Sequence, residues 1–199
     1  MGRVGLVIPP VIDDLIALVR SRPAIGATRL VTLDGHSGAG KTRLAGRLAR
    51  ALGRVPVVHL DVFYPGWEGL AAGVELAVDW VARPLVAGRR ARWRRYDWTA
   101  DRFAEWHETP CAPIVVLEGC GAGSAALRPF ASTAVWVDTP ARLRSERLRA
   151  RGDWPGYAPH RARWEGQEEA LFAAERPWEH ADAIIDNGPS PNCRWPGAG

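Results

Sequence analysis

Short runs of branched aliphatic residues alternate along the chain with longer stretches whose apolar positions recur every three or four residues. A continuous aliphatic run is typical of a strand buried on both faces, whereas the longer spacing is typical of an amphipathic helix. Because strands and helices alternate, the chain predicts an α/β fold with a parallel sheet between two helical layers. Five runs predict strands, over residues 29–34, 56–60, 113–118, 133–138 and 182–186.

The segments between these runs predict helices and connections. Helices are expected over residues 10–21, 41–52, 71–86, 99–107, 140–151 and 161–176, with a short helix between the third and fourth strands. The basic segment 88–95 predicts a turn, and 152–160 predicts a mobile loop. We expect a single domain over residues 1–187 and a flexible, Gly- and Pro-containing tail over residues 188–199.

Composition limits the class of protein. The 199 residues are 47% hydrophobic and 24% charged, which is ordinary for a globular domain and excludes disorder, collagen and coiled coil. No apolar run approaches the roughly 18 residues of a membrane span. Asp13 and Asp14 interrupt the apolar N-terminal stretch, so no signal peptide is expected. Three sparse cysteines, at positions 111, 120 and 193, favour a reducing compartment, and we expect a cytoplasmic protein.

The basic residues are unusual in kind. The net charge is +4, and of the 26 lysine and arginine residues all are arginine except Lys41. The single lysine therefore marks a position that needs a compact ammonium group. A charge of +4 suits anionic substrates but is too small to predict nucleic-acid binding by itself.

Residues 35–42 match the phosphate-binding pattern G-x-x-x-x-G-K-[ST], between a predicted strand and a predicted helix. Glycines let successive backbone N–H groups point at phosphate oxygens, and the helix N-terminus adds its positive dipole end. Lys41 would reach the β- and γ-phosphates of ATP, and the Thr42 hydroxyl would bind Mg²⁺. The expected ATP-binding residues are Gly35, His36, Ser37, Gly38, Ala39, Gly40, Lys41 and Thr42.

Two carboxylates follow predicted strands. Asp61 comes after the second strand and Glu118 ends the third, and the carboxyl ends of parallel strands meet at one edge of a sheet. Asp61 is a candidate to take the proton of an acceptor hydroxyl or to position Mg²⁺. Glu118 is a candidate to hold a Mg²⁺-bound water or polarise the nucleophile. The predicted metal-binding residues are thus Thr42, Asp61 and Glu118.

A chain whose one lysine is Lys41 has no N-K-x-D segment for guanine, which excludes a GTPase. The remaining layout is a small kinase, with an N-terminal helix over 10–22, an acceptor-site insertion over 62–110 and a lid over 140–165. On the lid helix Arg144, Arg147 and Arg151 share a face, and arginine suits the charge that develops during phosphoryl transfer.

Motifs in a fixed order carry a family resemblance. They are Gly35–Thr42, Asp61-x-Phe63-Tyr64, Arg95-Tyr96-Asp97-Trp98, Glu118-Gly119, the Arg-rich 137–153 and Ala181–Ile185. Over roughly residues 29–187 the chain resembles the uridine kinase family, which transfers the ATP γ-phosphate to the 5′-hydroxyl of uridine or cytidine. The resemblance implies a nucleoside kinase-like P-loop fold, with the five predicted strands in the order 2-3-1-4-5 and a short Arg-rich lid.

The same resemblance implies roles for individual residues. It makes Asp61 the catalytic base, beside Lys41, and places Arg147, Arg149 or Arg151 over the transferred phosphate. The predicted acceptor-binding residues are Tyr64, Trp67, Arg95, Tyr96, Asp97 and Glu118. The family has a base-reading histidine where this chain has Asp101.

The expected partners are ATP, with Mg²⁺ as cofactor, and a small-molecule hydroxyl acceptor such as a nucleoside; no membrane partner is expected, and a homo-oligomer is compatible with the sequence. One alternative is a kinase of a sugar, a cofactor precursor or an antibiotic. Another is a nucleotide-dependent regulatory or nucleic-acid-binding protein, whose surface would be five arginines around Trp93. That arginine cluster comprises Arg89, Arg90, Arg92, Arg94 and Arg95.

Overall fold

The computed structural model describes the backbone of residues 6–8 and residues 12–188 in full. Its main sheet has six parallel strands in the order β1-β8-β7-β2-β6-β3, and β4 and β5 form a separate antiparallel hairpin. The strands are β1 (Leu6–Ile8), β2 (Arg29–Asp34), β3 (Val57–His59), β4 (Ala91–Asp97), β5 (Arg102–Thr109), β6 (Ile114–Glu118), β7 (Ala131–Asp138) and β8 (Ala183–Asp186).

Eight α-helices connect these strands in the described part of the chain. They are α1 (Ile12–Ser21), α2 (Lys41–Ala51), α3 (Leu70–Ala77), α4 (Arg83–Val86), α5 (Ala141–Arg149), α6 (Trp154–Tyr157), α7 (Arg161–Glu175) and α8 (Pro177–His180). A π-helical turn, Val78–Ala82, makes α3 and α4 one continuous segment, and 3-10 turns occur at Leu60–Val62, Arg128–Phe130 and Ala158–His160. Among residues 12–188, each helix is too short or too polar to span a bilayer.

The predicted five-stranded parallel sheet is confirmed. Strands β3, β6, β2, β7 and β8 lie side by side in that order, which is the predicted 2-3-1-4-5. A sixth strand, β1, pairs in parallel with β8 at the edge of the sheet. Of the predicted first helix, residues 10 and 11 lie outside the described residues, as do 189–199 of the predicted tail, with Cys193.

The predictions of a turn over 88–95 and a helix over 99–107 are wrong, because these residues form the hairpin β4–β5. Phe103 and Trp106 are three residues apart, which fits a helical face. In the structure, tertiary contacts favour the strand conformation. The Phe103 ring lies 5.3 Å from the ring of Tyr96 on the paired strand and 5.5 Å from the ring of Trp80. The Asp97 carboxylate accepts the N–H groups of the two residues that turn the chain, at 3.0 Å each.

The sheet buries both of its faces. One face packs on α1 and α2, through Leu15, Val19, Leu44 and Leu48. The other packs on the α3–α4 segment and on α7, through Val74, Val81, Trp164 and Phe172. Two-sided burial explains why the strand sequences are continuous aliphatic runs, and it leaves the ends of the strands as the place for polar groups.

A buried carboxylate organises the carboxyl edge of the sheet. Asp34 ends β2 and is 2% exposed. Its Oδ1 accepts the N–H groups of Gly35 at 2.7 Å and Gly121 at 2.9 Å, and its Oδ2 accepts the N–H of Gly123 at 2.9 Å. Burial raises the pKa of Asp34 to about 6, although the three N–H donors and the Lys41 charge oppose that rise. Asp34 therefore joins the loop after β2 to the loop after β6.

Replacing Asp34 by Ala leaves three buried N–H groups without an acceptor. We expect the free energy of unfolding, measured by urea denaturation, to fall by about 3 kcal/mol or more, because each unsatisfied buried group costs about 1–3 kcal/mol. Asp79→Ala is the matched control, since its side chain is 67% exposed and pairs with Arg83 at the surface. Equal losses in the two variants would contradict this account of Asp34.

Candidate active site

The loop between β2 and α2 has the shape of a phosphate cradle. Gly38 and Gly40 adopt positive φ angles of 78° and 95°, which glycine accepts without steric cost. A Cβ on Gly38 would lie 2.6 Å from the carbonyl oxygen of Arg144, so the close approach also requires glycine. The first N–H groups of α2 have no acceptor within the helix, and they lie at its positive end. The predicted loop therefore offers a site for an anion.

Lys41 is buried at the centre of this loop. Its Nζ donates to the carbonyl oxygens of Gly35 at 2.7 Å and His36 at 3.0 Å, and lies 3.4 Å from Cys120 Sγ. Burial alone would lower the pKa of Lys41, but the Cys120 sulfur and the surrounding carboxylates raise it above its ordinary value. The side chain is thus a positive charge held beside the loop.

Four polar side chains meet at the carboxyl edge of β3 and β6. The Thr42 hydroxyl donates to Glu118 Oε1 at 2.9 Å, and His59 Nδ1 donates to the same oxygen at 2.5 Å. Asp61 follows β3 in the 3-10 turn Leu60–Val62. The structure therefore brings together Thr42, Asp61 and Glu118, as the sequence placed them; His59 was not anticipated.

Asp61 lies among charged side chains at the carboxyl edge of the sheet. Its side chain contacts solvent, yet the surrounding atoms desolvate it enough to raise its pKa, and the negative charge of Glu118 adds to this rise. The positive charges of His59, Arg151 and Lys41 oppose it. Such a carboxylate combines access to a substrate with an increased affinity for a proton, which suits a general base.

The donor set at this edge fits Mg²⁺ rather than a softer metal. Thr42, Asp61 and Glu118 offer hydroxyl and carboxylate oxygens, which magnesium prefers. Among the described residues, no group of three or more His, Cys, Asp or Glu side chains forms a closed metal site. Magnesium keeps several waters and shares its coordination with substrate phosphates, so a few protein oxygens suffice.

Glu168, on α7, was missed by the sequence analysis and contacts the phosphate loop directly. Its side chain is fully buried. It accepts hydrogen bonds from the Ser37 N–H at 3.0 Å, the Ser37 hydroxyl at 2.5 Å, Trp164 Nε1 at 2.8 Å and Cys120 Sγ at 2.9 Å. His36 Nδ1 lies 3.5 Å from its second oxygen. Every neighbour is a donor, so the site needs a group that only accepts.

The charge of Glu168 is stabilised despite its burial. Burial would raise its pKa, but the donors and the Lys41 charge lower it to about 2. Glu168 stands 131 residues from Ser37 in the sequence, so no local spacing connects them. The sequence feature that could have indicated a role for Glu168 is its spacing from Trp164, because residues four apart lie on one face of a helix.

Aromatic rings cover the region next to Asp61. Trp98 Nε1 donates to the Asp61 carbonyl oxygen at 3.2 Å, and its ring lies 4.6 Å from the ring of Trp67. Trp67 also stacks on His160 at 4.5 Å. Because these residues come from the hairpin, from the loop after Asp61 and from the segment after α6, they form a wall to which three parts of the chain contribute. We call Trp67, Trp98 and His160 the aromatic wall.

The remaining predicted acceptor residues are engaged within the protein. The Tyr64 hydroxyl is buried and donates to the Cys120 carbonyl oxygen at 2.8 Å. Tyr96 donates to Asp101 Oδ1 at 2.5 Å. Arg95 donates hydrogen bonds to Glu105 at 2.6 Å and to Asp97 at 3.2 Å. The two predicted acceptor residues Arg95 and Asp97 therefore stabilise the hairpin. Of the predicted set, Trp67 lies in the aromatic wall and Tyr96 packs against Trp98 at 5.4 Å.

The two predicted catalytic arginines occupy different environments. Arg147 donates to the Ala39 carbonyl at 3.2 Å and to the Asn187 carbonyl at 3.0 Å, so it supports the outer side of the phosphate loop. Arg151 pairs with Asp153 at the surface, and its charge opposes the rise in the pKa of Asp61. Arg151 is therefore the member of the pair that acts electrostatically on the candidate base.

Four of the five arginines in the cluster around Trp93 make bonds within the hairpin. Arg90 and Arg92 pair with Glu108, Arg94 donates to the carbonyls of Phe103 and Ala104, and Arg95 pairs with Glu105. A nucleic-acid phosphate would have to displace these acceptors. A cavity of about 550 Å³ lies beside the cluster and is lined by Asp79, Trp80, Pro84, Arg89, Arg90 and Arg92.

Solved structures match this fold over most of the chain, and two of them are from bacteria. A possible uridine kinase from Bacillus stearothermophilus is 22% identical, with a TM-score of 0.66, and the match covers 88% of this chain and 97% of that one. The fold is that of the P-loop kinases. A candidate fructose transport system kinase from Silicibacter sp. TM1040 matches this P-loop kinase fold at 20% identity and a TM-score of 0.55, covering 88% and 98% of the two chains. No protein-family model and no curated protein matches the sequence.

Glu168→Gln keeps the size of the side chain but places an NH₂ group among donors. We expect the free energy of unfolding at pH 7 to fall by about 2–3 kcal/mol, because buried donors lose their acceptor. Since the folded pKa is about 2, below the unfolded 4.5, the difference from wild type should be complete above pH 4.5 and shrink as the pH falls towards 2. Urea denaturation at several pH values measures this.

The matched control is Glu169→Gln on the same helix, where the side chain is exposed. That variant should stay within about 0.5 kcal/mol of wild type. A Glu168→Gln protein as stable as Glu169→Gln would disprove the role of Glu168 in holding the loop.

The His59–Glu118 pair makes stability depend on pH. The hydrogen bond to Glu118 raises the pKa of His59 above 6.5, so its stabilisation is complete below pH 6.5 and is lost as the pH rises through the folded pKa. The side chain is 41% exposed, so the effect should be below about 1 kcal/mol. Thermal denaturation of wild type and His59→Gln from pH 6 to 9 tests this; parallel curves for the two proteins would exclude it.

Proposed function

We propose that the chain is an ATP-dependent phosphotransferase that moves the γ-phosphate of ATP to a hydroxyl of a small molecule. The observation that supports this best is the meeting of two sites at one sheet edge. The phosphate loop carries Lys41 and Thr42, and a partly desolvated carboxylate, Asp61, lies beside the aromatic wall. A nucleotide phosphate and an organic acceptor can therefore approach each other there.

In the proposed reaction the acceptor hydroxyl gives its proton to the Asp61 carboxylate, and its oxygen bonds to the γ-phosphorus. The bond from that phosphorus to the β–γ bridging oxygen breaks, and ADP leaves with the electron pair. Lys41 would exchange the carbonyl oxygens of Gly35 and His36 for phosphate oxygens. When bound, Mg²⁺ neutralises phosphate charge, and Thr42, Asp61 and Glu118 would hold it.

The aromatic wall favours an acceptor with a flat or apolar face. Trp67 and Trp98 offer rings that can stack on a base or on the C–H face of a sugar. We propose a nucleoside of the uridine or cytidine type as the first candidate. Asp101 supports a second candidate, a sugar or related polyol, because a carboxylate that already accepts from Tyr96 can accept further hydroxyl groups.

Asp61→Asn removes the proposed base while keeping the size of the side chain. We expect kcat to fall by about 10²–10⁴-fold, the usual contribution of general base catalysis, with little change in ATP affinity. ADP release from Mg·ATP should be measured with a panel of nucleosides, nucleoside monophosphates, sugars and hydroxylated antibiotics. In wild type the acidic limb of kcat/KM should lie above pH 3.8, since the pKa of Asp61 is raised.

Lys41→Ala gives the background of this assay, and Asp79→Asn, on the exposed side of the π-helical turn, is the control for an unrelated carboxylate. Stimulation by a nucleoside or by a sugar decides between the two acceptor classes. An Asp61→Asn enzyme with wild-type kcat would refute the mechanism, and the absence of stimulation by every acceptor would refute the proposed function.

A further inference from the structure

Tyr157 spans the distance between the aromatic wall and the phosphate loop. It ends α6, within the predicted lid, and only 9% of its surface is exposed. Its ring lies 5.7 Å from Trp67 and 6.0 Å from Trp154. The environment of its hydroxyl is set by Ser37 and Glu168, the residues at the phosphate loop. The side chain therefore has its ring at the acceptor side and its hydroxyl at the nucleotide side.

The Tyr157 hydroxyl is buried and makes no hydrogen bond of ordinary geometry to any described residue, although Ser37 lies close enough to affect its pKa. Its neighbours are already engaged: the Ser37 hydroxyl donates to Glu168 and accepts from Trp164 Nε1 at 3.1 Å. A buried polar group without a partner is unfavourable by about 1–3 kcal/mol, so such groups are uncommon unless a ligand satisfies them.

The hydroxyl is suited to donate to an anion. Burial raises the pKa of Tyr157 to about 12, with the Glu168 charge adding to the rise and Ser37 opposing it, so the phenol keeps its proton at neutral pH. The negative charge of Glu168 is already compensated by its donors and by Lys41. A phosphate oxygen at this place would supply the missing acceptor.

We propose that Tyr157 is a further catalytic residue, whose hydroxyl donates a hydrogen bond to a non-bridging oxygen of the γ-phosphate. This rests on the proposed function. The transferred group must lie between the phosphate loop and the acceptor, and Tyr157 packs on Trp67 at the acceptor side while its hydroxyl lies near Ser37 at the loop side. A donor fixed at this point would stabilise the charge on the phosphoryl oxygens as the bond to ADP breaks.

Tyr157→Phe tests this, because it removes the oxygen and keeps the ring against Trp67. Affinities for ADP and for a non-hydrolysable ATP analogue with a γ-phosphate are measured by calorimetry with Mg²⁺. We expect the analogue to bind about 10-fold more weakly than to wild type, as for a lost hydrogen bond to a charged group, and ADP affinity to be unchanged. With an active acceptor, kcat should fall by about 10–100-fold.

Stability distinguishes this role from a structural one. Removing an unpartnered hydroxyl should leave the melting temperature of Tyr157→Phe unchanged or higher. Tyr64→Phe is the comparison, since its buried hydroxyl has a partner at 2.8 Å and its loss should lower the melting temperature. A Tyr157→Phe protein that binds both nucleotides as wild type does, or that loses affinity for ADP equally, would overturn the proposal.

The comparison of ADP with the ATP analogue needs no acceptor. It therefore distinguishes a failure of the proposed phosphotransfer from a failure of the proposed Tyr157 contact. If no acceptor stimulates turnover but the analogue loses affinity selectively, the contact to the γ-phosphate stands and only the proposed phosphotransfer fails. If turnover occurs and the analogue binds Tyr157→Phe normally, the kinase proposal stands and the Tyr157 contact fails.

Discussion

The requirement that every buried N–H group near the phosphate loop has an acceptor governs the structure of the site. Two buried carboxylates accept most of these N–H groups. Asp34 accepts three backbone N–H groups on one side of the loop, and Glu168 accepts the Ser37 N–H on the other. Because both carboxylates are held by donors in the protein, the position of the loop is fixed without the proposed phosphate. Such preorganisation removes part of the entropy that binding would otherwise lose.

Hydrogen bonds from α7 connect the phosphate loop to the aromatic wall, which are the proposed nucleotide and acceptor sides of the site. Glu168 holds Ser37, and the preceding residue, Gln167, donates to the Trp67 carbonyl oxygen at 2.6 Å and accepts the Leu70 N–H at 3.3 Å. Trp164, one turn earlier, packs on Tyr64 at 4.8 Å. One helix therefore positions both halves of the site. A displacement of α7 would change the phosphate loop and the aromatic wall together.

Much of this arrangement was predictable from the sequence, for a physical reason. Strand ends and the phosphate loop depend on local spacing, so Lys41, Thr42, Asp61 and Glu118 could be placed on one edge once the parallel sheet was inferred. Glu168 and Tyr157 reach the same edge only through the tertiary packing of segments more than 100 residues away. The hairpin was misread because the spacing of Phe103 and Trp106 also fits a helix, and only its cross-strand partners decide between the two structures.

The charge balance of the candidate site supports the proposed role of a divalent cation. Around the phosphate loop lie the carboxylates of Asp34, Glu118 and Glu168, whereas Lys41 is the positive side chain at its centre. Arg147 turns its guanidinium to the outer side of the loop, where it bonds to carbonyl oxygens. A triphosphate would add several negative charges to a region that already holds three acidic groups. A divalent ion at the oxygens of Thr42 and Glu118 would neutralise part of this negative charge, which is the role that the proposed reaction gives to Mg²⁺.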